Sequence, residues 1–81
     1  ETYDSKMEEY IAGQDGVVCV DSLRSRMFGN KVYIDLEIQV DGEKSLRDAH
    51  KVAQRIHDEV ERAFPDVKHI MIHLNPAKEA G

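Results

Sequence analysis

The feature that most constrains this chain is an alternation in its middle. Val32, Ile34, Leu36, Ile38 and Val40 alternate with Tyr33, Asp35, Glu37 and Gln39. A period of two with one apolar side belongs to a strand with one face on a core and the other polar. Asp41-Gly42 closes it. The period then changes: Leu46, Ala49, Val52, Ala53, Ile56, Val60, Ala63 and Phe64 form one apolar stripe at helical spacing. Ser45-Leu46-Arg47-Asp48 reads as a capping box, the Ser hydroxyl free for the Asp48 amide and the carboxylate able to reach back. Pro65 ends the helix. A last strand follows from Val67 to Leu74, with Ile70, Ile72 and Leu74 inward, His69, Met71 and His73 outward, and Asn75-Pro76 stopping it. A strand, a long helix and a returning strand make a right-handed crossover, so the last strand should run parallel to the one at 32–40.

Upstream, Tyr3, Met7, Tyr10 and Ile11 predict a short helix over 2–12, which Gly13 and Gly16 interrupt around Gln14-Asp15. From Val17 to about Arg26 the chain is β-branched and extended, and Phe28-Gly29-Asn30 supplies a hairpin turn. The order is α-β-β-α-β, an α+β sandwich of two layers with three strands covered on one face by two helices. The opposite face has no third layer. It carries Cys19, Asp21, Tyr33, Asp35, Glu37, Met71 and His73, and something should cover part of it.

With 81 residues there is room for one domain. A chain this size buries only about 60–65% of the surface its unfolded form exposes, so a metal or a partner subunit would help it. Sixteen acidic against eleven basic residues, a net charge of -5, argue against nucleic-acid binding, which needs a basic face. The longest apolar run, Gly16 to Val20, is far too short to cross a bilayer, and Glu1-Thr2-Tyr3-Asp4 is no signal peptide. A start at Glu1 rather than Met predicts a portion of something longer. One cysteine cannot form an internal disulfide, which fits a reducing compartment.

No catalytic constellation emerges. The five glycines are scattered, with no phosphate loop, nucleophile elbow, HExxH or CxxC. Cys19 reads as a small strand hydrophobe, because a reactive thiol wants a basic or helix-terminal setting. The chain is therefore expected not to be an enzyme and to have no catalytic substrate.

Metal binding has better support. His73 leaves the open face, Glu37 and Asp35 lie one strand away, and register read back from the Gly29 turn places Asp21 on the same side. An imidazole with two or three carboxylates suits a divalent first-row cation, although a polar sheet face collects Asp, Glu and His without one. His50 and His57 sit seven apart at the margin of the helix stripe, with Asp58 beside His57; surface histidines without a ligand role are the commoner outcome. His69, ahead of the last strand, reads as solvated. Arg24, Arg26 and Lys31 cluster at the hairpin end, suited to an acidic partner surface or lipid headgroups, or simply a wet sheet edge.

Gly16-Val17 followed by Leu23-Arg24-Ser25-Arg26, then Gly29, the Tyr-Ile-Asp-Leu-Glu strand at 33–37, Ser45-Leu46 leading to Ala49-His50, and the ending Ile72-His73-Leu74-Asn75-Pro76 together resemble the C-terminal cytoplasmic domain of cation diffusion facilitators. The resemblance covers residues 16–76. It implies a ferredoxin-like, metallochaperone-like domain below a six-helix transmembrane transporter, on the cytoplasmic side of the membrane. There it would pair into a V-shaped homodimer that binds divalent metal between protomers and closes upon it. Such coupling requires only that metal bind the closed state better than the open one. The family's zinc-type positions fall here on Asp21, Glu37, His50, His73 and Asn75. His50 and His73 match. Asp21 and Glu37 are carboxylates in place of imidazoles, and Asn75 replaces an Asp. Oxygen for nitrogen shifts preference from Zn²⁺ toward Mn²⁺ or Fe²⁺.

The resulting expectation is a single domain over 1–81, with a helix and turn at 1–15 and a flexible tail at 77–81. It dimerises through Met71, Leu74 and neighbours, attaches to the transmembrane part of its own full-length chain, and senses a divalent cation. Metal affinity should fall between about pH 7 and 5.5 as imidazoles protonate. The alternatives are a stand-alone α+β module that binds a partner or small ligand on its open face, and a structural dimer that never binds metal.

Overall fold

The computed structural model describes residues 2–77. Five elements follow in the expected order: α1 (Tyr3–Ala12), β1 (Cys19–Phe28), β2 (Lys31–Val40), α2 (Leu46–Ala63) and β3 (Val67–Pro76). The sheet order is β1-β2-β3, with β1 antiparallel and β3 parallel to β2. The two-layer α+β sandwich with a three-stranded mixed sheet is therefore what the chain adopts.

The alternation of β2 maps directly onto burial. Val32, Ile34, Leu36, Ile38 and Val40 are buried, while Tyr33 and Glu37 are exposed. Met7 and Ile11 of α1 and Val52, Ile56 and Val60 of α2 complete the core from the helix layer. Tyr3 and Tyr10 both meet the Phe64 ring edge-on, at 5.6 and 5.8 Å between centroids, which closes the end of the helix layer.

Several local expectations are corrected. Leu46, read as part of the apolar stripe of α2, is 72% exposed, at the open mouth of a groove with Val40, Leu74 and Pro76. Ala63 is exposed as well. At the start of α2 the Asp48 amide donates to Ser45 Oγ at 3.1 Å, half of the expected capping box. A reciprocal box occurs instead at α1, where the Ser5 amide donates to Thr2 Oγ1 and the Thr2 amide to Ser5 Oγ, both at 3.0 Å. Asn75-Pro76 does not stop β3, which runs through Pro76. The Ala77 amide then donates to the Val40 carbonyl at 2.8 Å, extending the parallel ladder. β1 starts at Cys19 and continues through Met27 and Phe28. His69 lies within β3 rather than ahead of it, its ring 5.8 Å from that of Tyr33. Leu74 packs partly buried against the core on the helix side, as its inward phase predicts. The expected flexible tail lies, from Lys78 on, outside the described residues.

Candidate metal centre on the open sheet face

The sheet face away from the helices is built by β-pairing. Glu37 on β2 is in register with His73 on β3, and Gln39 with Asn75. On the other side Cys19 pairs with Gln39 and Ser22 with Glu37. Asp21 falls between them in a β-bulge, the register shifting between Val20 and Ser22. An unbroken hairpin register from the Gly29 turn would set Asp21 opposite Ile38, a core residue. The extra bulge residue turns the carboxylate to the open side, so Asp21 reaches the expected face by a route the register count did not contain.

Once there, Asp21 becomes a hub. Its Oδ1 accepts from Gln39 Nε2 at 2.8 Å, and its Oδ2 accepts from Asn75 Nδ2 at 3.2 Å. The same Asn75 amide donates to Glu37 Oε1 at 3.4 Å. One neutral NH₂ group thus bridges two carboxylates from two strands. The Cys19 thiol lies 3.7 Å from Asp21 Oδ1. Partial desolvation first, and the Asp21 charge second, hold that thiol above its ordinary pKa, so it stays protonated and is a poor thiolate. Further along, Arg26 stands 4.0 Å from Asp35, and Phe28 meets Tyr33 edge-on at 4.9 Å.

The structure brings Asp21, Glu37 and Asn75 together and sets His73 beside Glu37 across the parallel pair. His50 is not part of this group. It stands on α2 and lines a groove with Gln54, His57, Ile70 and Ile72, on the helix side of the sheet. Two carboxylates and an imidazole on adjacent strands are donor types that a hard to intermediate divalent cation takes, but their ligand atoms are not gathered within 4.8 Å of one another, and Asn75 turns its NH₂ rather than its oxygen toward the carboxylates. Gln39, which steadies Asp21, was missed in the sequence. Its place in the outward phase of β2 marks it only after the bulge is known.

A family model described as the cation efflux protein, cytoplasmic domain, matches residues 2–77. The manganese efflux system protein MneP of Bacillus subtilis is 33% identical over 73 residues, covering 86% of this chain and 25% of that protein. Metal tolerance protein C1 of Arabidopsis thaliana is 33% identical over 71 residues, covering 88% of this chain and 15% of its own length. The chain thus spans a quarter or less of these relatives. Among solved structures, a nickel form of a MamM CTD variant superposes with a TM-score of 0.86 at 22% identity, covering 91% of this chain and 94% of that one. A copper form of another variant gives 0.86 at 20% identity, covering 91% and 88%. The fold is shared with these, and among the described residues no helix is long and apolar enough to cross a membrane. With its whole described length matched by the family model, the chain belongs to the cation efflux protein cytoplasmic-domain family, that of the cation diffusion facilitators its residues resemble.

Proposed function

We propose that this domain is the dimeric, metal-sensing regulatory part of a divalent cation efflux transporter. The observation that carries the reading is the convergence of Asp21, Glu37 and Asn75 on an uncovered sheet face, with His73 in register beside Glu37. A cation there replaces the single Asn75 amide as the group between two negative charges. The oxygen-rich set favours Mn²⁺ or Fe²⁺ over Zn²⁺, in keeping with a relative named for manganese efflux. His50 stands across the sheet from the other donors, so its share in any site requires a second protomer to bring another α2 to this face. Metal bridging two such faces would favour a closed dimer over an open one and bias the transmembrane part attached to it. The domain performs no covalent chemistry in this account.

Isothermal titration of Zn²⁺ and Mn²⁺ into the wild-type domain and His73→Ala tests it. The substitution should reduce the heats and weaken binding by about tenfold or more, whereas equal heats would remove His73 from the site. Small-angle scattering should show a dimer that narrows on adding metal. A monomer at all concentrations would favour a stand-alone binding module instead.

A further inference from the structure

A second group of metal-type donors lies on α2 beside its groove with β3, away from the open face. His57 Nδ1 stands 3.5 Å from Asp58 Oδ1 and 3.5 Å from Glu61 Oε1. The three ligand atoms all lie within 4.8 Å of one another. Two donors each about 2.1 Å from one metal stand about 3.0–3.4 Å apart at octahedral to tetrahedral angles. The two distances from Nδ1 are thus close to those of a loaded site before any side chain moves.

The electrostatics point the same way. His57 Nδ1 is shielded from water and has no hydrogen-bond partner among the described residues. An unpaired, shielded ring nitrogen is costly, and this one faces two carboxylate oxygens, each at 3.5 Å. No Lys or Arg among the described residues lies within 4.0 Å of either carboxylate. Meanwhile Gln54 Nε2 donates to Asp58 Oδ1 at 3.1 Å, orienting that carboxylate from outside as ligand-supporting groups do. The ring itself is confined, half-buried in the groove above Ile70 and Ile72.

We propose that His57, Asp58 and Glu61 bind a divalent first-row cation on each protomer, at a site that needs no partner subunit. This goes beyond the open-face reading and does not depend on it. The rival occupant is a proton on Nδ1, which would satisfy both carboxylates without any metal.

The experiment is a Zn²⁺ titration of the 81-residue domain at pH 7.5, followed by NMR of the backbone amides and imidazole rings. Zinc should shift the His57 ring and the amides of 54–61 in the wild type and equally in His73→Ala. Those shifts should vanish in His57→Gln and Glu61→Gln, the latter changing only an exposed side chain. Gln54→Ala should weaken the site about tenfold. Shifts confined to residues 19–21, 37 and 73–75 would overturn the proposal, leaving the proton as occupant. Survival of the α2 shifts in His57→Gln would overturn it too. Because the two sites report through different residues, loss of the open-face response alone would count against the regulatory reading and leave this one standing.

Discussion

Asn75 holds its site together with a group that carries no charge. Its NH₂ spans Asp21 and Glu37, so a third carboxylate there would set three anions against one another. Asn75→Asp should therefore lower Tm in the absence of metal. It should also tighten divalent cation binding by about tenfold or more, since affinity follows ligand charge; calorimetry with and without Mn²⁺ reads both. Gly16 is constrained differently. Its φ of +90° suits glycine, and a Cβ there would come 2.7 Å from Val52 Cγ2. Gly16→Ala should cost about 2 kcal/mol or more by strain and overpacking together, measured by urea denaturation. Both residues could be located in the sequence. That Gly16 is a contact as well as a turn could not, because Val52 lies on an element separated from it by the whole hairpin.

The elements are joined by few polar links, and the clearest runs between α1 and α2. Tyr10 Oη donates to Glu59 Oε2 at 2.9 Å, and Arg62 approaches the same oxygen. Arg62 and Tyr10 together hold the Glu59 carboxyl below the usual range, and the Glu59 hydrogen bond raises the Tyr10 hydroxyl. A carboxyl depressed in the folded state contributes stability that is present above its unfolded pKa, about 4.3, and lost as pH falls through the folded value. Glu59→Gln should therefore lower Tm in the neutral region and converge with the wild type as pH falls below about 4.5, which flattens the acid limb of a Tm-against-pH curve. An unchanged acid limb would show that the link contributes nothing. The strands and helices themselves were legible, because an alternation and a helical stripe each bury one face. Their ends were not. Leu46 looks like stripe but is exposed in the first turn of α2, and β3 passes through Asn75-Pro76 because Pro76, at the end of an edge strand, does not interrupt the ladder, which Ala77 continues by donating to Val40.

At the scale of the molecule, one sheet face is covered by two helices and the other by nothing among the described residues. Met71, on the edge strand β3 and in register with Asp35, is 48% exposed on that bare face, and Tyr33, in register with His69, is exposed two residues back along β2. If a second copy covers it, Met71→Asp should move the domain from dimer to monomer in sedimentation equilibrium with its circular dichroism unchanged. A dimer that survives would place the contact elsewhere.

The order of elements, the parallel return of β3 and the polarity of the bare face follow from periodicity alone, since each depends only on which side of a strand or helix a residue occupies. The meeting of Asp21 with Asn75 and the exclusion of His50 from their company were decided by the tertiary structure. A bulge and the thickness of a sheet set those distances, and neither has a period that a string of residues can display.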